Sequence, residues 1–162
     1  MEDSKGRGAD ILGYAALAAL IALGLYAVAT LPATIPIRFD NAGHASDFGS
    51  KWTLMILPAA AAFAFALISI VQSTGARANL PFAVPVWRAD AVQAVTNAGM
   101  AQLKVFLPSG FIAIEAVIFA SSSAGALSPF FLPAMALFVV GLLALVANML
   151  VRCWQAAQGD AP

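Results

Sequence analysis

The one long polar segment of this sequence is LPATIPIRFDNAGHASDFGSKW, residues 31–52, and an apolar run lies on each side of it. Pro32 and Pro36 fix φ and push the residue before each of them towards an extended conformation, so a helix should end at Leu31. Apolar residues alternate with other residues over 35–40, which is the period of a short half-buried strand. The segment therefore predicts a compact loop with a defined structure.

Two turns are expected within this loop. Residues 40–43 read DNAG, and Asp and Asn tolerate the left-handed region that Gly adopts freely. Residues 46–50 read SDFGS and predict a second turn, after which Lys51 and Trp52 lead into the next apolar run.

The spacing of the loop also resembles that of a known family. Leu-Pro-x-x-Ile-Pro-x-x-Phe-x-x-x-Gly, followed by Asp-x-Gly-Ser-Lys, is similar to the signature loop of the SdpI-type family of bacterial multi-pass membrane proteins. The best-known member of that family gives immunity to a secreted killing peptide. The positions that carry the resemblance, and that it implies as site residues, are Pro32, Pro36, Phe39, Asn41, Gly43, Asp47, Gly49 and Lys51.

The chain departs from the family pattern at one position. Many relatives carry a His two residues after the second Pro, where this chain has Arg38, and its single His is His44. A family role for a His at that position is therefore not carried over to this protein.

The composition is that of a membrane protein. Of 162 residues, 62% are hydrophobic and 10% charged, and the mean hydropathy is +0.89. A soluble domain is about half apolar and about a quarter charged. Eight basic residues balance eight acidic ones, so no nucleic-acid partner is indicated. The single cysteine, Cys153, excludes an intrachain disulfide.

Four transmembrane helices are predicted, because four segments are long enough to cross about 30 Å of hydrocarbon at about 1.5 Å per residue. They cover about residues 11–31, 52–71, 101–121 and 132–151.

The first and third of these segments have features that are unusual for a membrane-spanning helix. The first could instead be a signal peptide, since Ala27-Val28-Ala29 is an A-x-A site. Its apolar run is long for that role and acidic residues dominate before it, so we expect a retained helix. The third contains Lys104, which we expect to reach out to the membrane interface.

The basic residues predict the orientation. Six of the eight Lys and Arg residues lie in the two termini and in the segment from residue 72 to Lys104, whereas the loop 32–51 holds only Arg38 and Lys51. The positive-inside rule then places both termini and the loop 72–100 in the cytoplasm and the loop 32–51 outside. The predicted fold is an all-α integral membrane protein, a single domain over 1–162 in the bacterial cytoplasmic (inner) membrane.

Glu115 and Asn148 are the polar residues predicted to lie within the membrane. An ionisable group at that depth suggests a functional site. The alternative is a structural carboxyl that is hydrogen-bonded to another helix or to a loop. Asn148 could be its partner, or could simply join two helices.

No catalytic or cofactor-binding set is recognisable. Asp40, His44 and Asp47 share one loop, but a zinc site needs three or four converging ligands, so solvated turn residues are the better interpretation. There is no phosphate-binding Gly loop and no Ser/His/Asp set. We therefore expect no enzyme activity, no metal and no cofactor.

Two functions are compatible with these features. The family resemblance implies a protein of the lipid bilayer that binds an extracellular peptide, or protects against it, through the loop 32–51. Alternatively, the chain is an accessory subunit that packs stripes of small residues against a larger membrane complex; these stripes are Ala15, Ala19 and Ala22, and Gly141, Ala144 and Asn148. A transporter or membrane enzyme that uses Glu115 is a third reading. The oligomeric state is not predicted.

Overall fold

The computed structural model describes residues 2–40, 42–75 and 79–158, with residues 2–7 described by their backbone only. Within these ranges the chain forms four helices that are long and apolar enough to cross a membrane. They are α1 (Glu2–Thr30), α2 (Ile56–Thr74), α3 (Ala89–Ala124) and α4 (Phe131–Ala157). The predicted all-α, multi-pass membrane architecture is confirmed.

Two helices extend well beyond the predicted spans. α1 begins at Glu2 rather than near residue 11, and α3 begins at Ala89 rather than near residue 101. The predicted loop 72–100 is therefore mostly helical. Pro85 precedes a short 3₁₀ turn, and no further Pro follows until Pro108, so nothing interrupts the early part of α3.

α3 is the central helix, because it packs against α1, α2 and α4. α4 packs principally against α3, and side chains of each helix lie directly over glycines of the other. The ring of Phe138 lies over Gly110, and the ring of Phe106 lies over Gly141, so neither position has room for a Cβ atom. The two rings stack with their centroids 5.7 Å apart.

The segment between α1 and α2 forms a β-hairpin. Its strands are β1 (Thr34–Phe39) and β2 (Ala45–Ser50), which pair antiparallel. β1 confirms the strand predicted over 35–40. The turn predicted over 46–50 is wrong, because the backbone of these residues pairs with β1 despite their turn-forming side chains.

An apolar cluster anchors the hairpin to the helices. Ala27, Leu31, Ile35 and Leu54 are buried together, and Ile118 and Phe119 of α3 pack against them. α1, the hairpin, the start of the second apolar run and α3 thus share one core at this end of the bundle.

Candidate functional site

The tip of the hairpin is a tight turn, as predicted. The amide of Gly43 donates to the carbonyl oxygen of Asp40 at 3.0 Å, and Gly43 has φ of 83°, a conformation that favours glycine. The Asp40 carboxylate also accepts hydrogen bonds from the amides of Ala42 at 2.9 Å and His44 at 2.8 Å. The turn is therefore held by both backbone and side chain.

The same contacts act on the acidity of Asp40. The backbone hydrogen bond from His44 lowers the pKa of this carboxyl most, and the amide of Ala42 and the nearby His44 ring also lower it. The His44 Nδ1 atom lies 3.6 Å from the carboxylate, and both side chains are exposed. Asp47 accepts instead from the amide of Phe48 at 2.9 Å. In the described ranges, no three His, Cys, Asp or Glu residues converge on a point that could hold a metal ion.

The hairpin tip is joined to the connection between α3 and α4. The amide of Leu127 donates to the carbonyl oxygen of Gly43 at 2.9 Å, and His44 and Ala126 form an isolated antiparallel bridge. The two loops at this end of the bundle are therefore one connected unit, and no local sequence pattern predicts this link.

A cavity of about 490 Å³ lies between the hairpin and the helix ends. Its lining comes from β1, from the residues around the start of α2, from the end of α3, from the connection between α3 and α4, and from the start of α4. These residues are Ile35, Pro36, Ile37, Arg38, Phe39, Thr53, Leu54, Leu57, Ile118, Ser121, Ser122, Leu127 and Phe131. The walls are mainly apolar, and β2 does not contribute to them.

The structure places the predicted signature residues in different roles. Pro36 and Phe39 line the cavity, whereas Pro32 is exposed and Asp47 lies on exposed β2. Asn41 lies outside the described residues.

The last two signature residues support the loop. The ammonium group of Lys51 donates to the carbonyl oxygen of Leu31 at 3.1 Å, so it holds the end of β2 near the end of α1. Gly49 lies under the side chain of Ile37, because a Cβ atom there would be 2.8 Å from the Ile37 Cδ1 atom.

Glu115 is fully buried within the helices, and neither of its oxygens has a hydrogen-bond partner in the part of the chain that the structure describes. Its Oε1 atom lies beside Gly24, against which Met55 and Pro58 also pack. Asn148 is on the exposed face of α4, so the two predicted intramembrane polar residues do not pair. The alternative of a structural carboxyl predicted a hydrogen bond between Glu115 and another helix or a loop, and no such bond is present among the described residues.

Lys104 does not reach out to the membrane interface as predicted. Its side chain is 5% exposed, its Nζ atom is 2.5 Å from the Asp10 Oδ1 atom, and it donates to the Gln72 side chain at 3.0 Å. The ammonium group also lies 5.1 Å from the centre of the Phe65 ring. Gln72 in turn donates to the carbonyl oxygen of Asn97 at 3.1 Å. These contacts join α1, α2 and α3 at the end of the bundle opposite the hairpin.

Comparison with known proteins gives one match. Residues 15–62 match the family described as a domain of unknown function, DUF1648. The matched region covers much of α1, the whole hairpin and the beginning of α2. No curated protein and no solved structure matches the chain. The fold and the site together define a multi-pass membrane protein with a structured hairpin between its first two helices.

Proposed function

We propose that this protein binds an extracellular peptide, or shields the membrane from it, through the loop 32–51, as its resemblance to the SdpI-type immunity proteins implies. The observation that supports this proposal is that the hairpin is held in a defined position by contacts at three points. Its tip is hydrogen-bonded to Leu127, its base is fixed by Lys51, and Leu31 and Ile35 anchor it in the core. A surface held at three places is preorganised for binding, which lowers the entropy cost of association. The proposed role is non-catalytic.

The open edge of β2 favours an extended peptide as the ligand. The sheet has two strands, so the outer edge of β2 has no neighbouring strand among the described residues. An open strand edge presents backbone N–H and C=O groups that an incoming peptide can pair with. Phe48 on β2 is 61% exposed and offers an apolar contact beside this edge.

We propose that the hairpin lies outside the cell and that both termini lie in the cytoplasm, with the chain in the bacterial inner membrane. The distribution of basic residues along the chain supports this orientation. A Ser46→Cys variant tests this orientation in intact cells. We expect the new thiol on exposed β2 to react with a membrane-impermeant reagent. The native Cys153 is fully buried and should not react, so the wild-type protein is the control. A thiol at position 46 that does not react with this reagent in intact cells would show that the orientation is the opposite one.

Substitutions in the loop test the binding role. We expect Phe39→Ala, Gly43→Val and Asp47→Ala to abolish resistance to the cognate peptide while membrane insertion is unchanged. Phe48→Ala should weaken resistance too. Phe63→Ala, an equally exposed aromatic on α2, is the matched control and should leave resistance intact. Full resistance in the first three variants would refute the role of the loop.

The second candidate function is that of an accessory subunit, and it is favoured by small and polar residues that are exposed on the helices. The stripe of small residues on the first helix, Ala15, Ala19 and Ala22, is exposed on α1 at all three positions. Asn148 is exposed on α4, where an amide benefits from a partner on another helix. Purification in a mild detergent followed by mass spectrometry separates the two functions. Stoichiometric recovery with a larger assembly would support the accessory role over peptide binding.

A further inference from the structure

The cavity beneath the hairpin has the features of a ligand site that the proposed peptide contact on β2 does not use. We propose that it binds one anionic phospholipid, whose acyl chain fills the cavity and whose phosphate pairs with Arg38. The open edge of β2 forms no part of the cavity lining, whereas β1 of the same loop lines the cavity, so the lipid and the peptide would bind to different faces of the hairpin.

The size and the walls of the cavity suit an apolar chain. Its volume of about 490 Å³ lies within the range of about 300–1,000 Å³ that is typical of ligand pockets. Ile35, Leu54, Leu57, Ile118 and Phe131 supply apolar walls from the hairpin and the helices. Burial of an acyl chain against such walls is favourable in proportion to the apolar area removed from water.

Arg38 gives the cavity a positive charge. The loop 32–51 has two acidic and two basic residues, but Arg38 is the one charged residue in the cavity lining. Its guanidinium forms no ion pair or hydrogen bond with the described part of the chain, although Asp47 is opposite it in the strand register. Asp40 and Asp47 accept hydrogen bonds from backbone amides instead. An unpaired guanidinium matches the geometry of a phosphate group.

A buried hydroxyl provides an independent indication of a ligand. Ser122 is 8% exposed and lines the cavity, and its Oγ atom has no hydrogen-bond partner among the described residues. Its neighbour Ser121 is satisfied, since its hydroxyl donates to the Val117 carbonyl oxygen and accepts from the Ser128 amide. Buried polar groups in proteins are normally hydrogen-bonded, so Ser122 is suited to donate to an ester carbonyl of the lipid.

The surroundings favour a lipid over a peptide as the occupant. Exposed apolar residues directly precede or follow lining residues in the sequence; they are Trp52, Ile56, Phe130 and Leu132. Trp is enriched at the bilayer interface, and Trp52 directly precedes the lining residue Thr53. The cavity is therefore at the level where phospholipid head groups and chains meet.

Lipid titration tests the proposal. The protein is purified in a neutral detergent, and phosphatidylglycerol or phosphatidylcholine with the same chains is added before native mass spectrometry. We expect one equivalent of phosphatidylglycerol to bind about tenfold more tightly than phosphatidylcholine, because both lipids carry a phosphate but the choline ammonium offsets its charge and repels Arg38. Arg38→Gln should abolish this preference, and Arg152→Gln, at the opposite end of the bundle, should keep it.

A second pair of variants tests the cavity itself. Ser122→Phe fills the cavity and should remove the bound lipid, whereas Ser123→Phe changes an exposed neighbour and should retain it. Equal binding of the two lipids by the wild type, an unchanged preference in Arg38→Gln, or a co-purified peptide in place of the lipid would each overturn the proposal. Arg38 is exposed, so its variant remains informative if Ser122→Phe fails to fold.

Discussion

The backbone amide of Leu127 lies 2.9 Å from the carbonyl oxygen of Gly43 and donates a hydrogen bond to it. These residues belong to different connections, one between α1 and α2 and the other between α3 and α4. The bond makes the hairpin part of a surface that all four helices support. Gly43 has φ of 83°, a conformation that favours glycine, so substitution at the tip of the hairpin should disturb this contact.

Gly43→Ala should destabilise the protein. Gly43 has φ of 83°, and a side chain in that conformation costs about 1–3 kcal/mol. We expect a lower midpoint of thermal unfolding in mild detergent. Gly8→Ala on α1 is the control, since no atom lies within 4 Å of a Cβ placed there and alanine favours a helix over glycine. Equal destabilisation by both changes would contradict the structural role of Gly43.

The ion pair between Lys104 and Asp10 predicts an asymmetry between two substitutions. The Lys104 side chain is 5% exposed and that of Asp10 is 44% exposed. Asp10→Ala leaves a buried cation and should lower the free energy of unfolding by roughly 2 kcal/mol, below the cost for a fully buried pair. Lys104→Met leaves a carboxylate that water can reach, and should therefore lower the free energy of unfolding by a smaller amount. Thermal unfolding in detergent ranks the two variants, and the reverse order would show that Lys104 is better hydrated than the structure indicates.

Glu115 should tolerate replacement. Neither of its oxygens has a partner among the described residues, so Glu115→Gln and Glu115→Leu remove no hydrogen bond, and Leu also removes the cost of burying a polar group. We expect unfolding midpoints at or above that of the wild type. Ser121→Ala is the comparison, because it loses two hydrogen bonds and should cost about 1 kcal/mol. A well-folded Glu115→Gln protein without function would show that the ionised carboxylate matters.

The turn at the hairpin tip should weaken in acid. The pKa of Asp40 in the folded protein is below its ordinary value of 3.8, so the carboxylate stabilises the turn fully above that value and loses this effect as the pH falls through the lowered pKa. Hydrogen exchange should show the protection of the His44 amide falling in that range. Asp40→Asn should remove this pH dependence, and Asp47→Asn should keep it. The same acid response in both variants would exclude Asp40 as its source.

The sequence was informative where a local pattern determined the structure. The four apolar runs identified the helices, alternation identified β1, and Asp-Asn-Ala-Gly identified the turn. β2 was missed because Ala45–Ser50 has the side chains of a turn, and its strand conformation comes from pairing with β1. The partner of Lys104 was missed because Asp10 is 94 positions away, and no local pattern relates the two. The bond between Gly43 and Leu127 likewise depends on how the helices pack.

Photo-cross-linking from two positions tests the central claim most directly. A photoreactive phenylalanine analogue replaces either Phe48 on β2 or Leu137 on the exposed face of α4 in intact cells, and mass spectrometry identifies the adducts. Binding through the loop predicts a secreted peptide joined at position 48 and absent at position 137. Cross-links to a membrane protein at position 137, with none at position 48, would contradict the proposed function and support the accessory subunit instead.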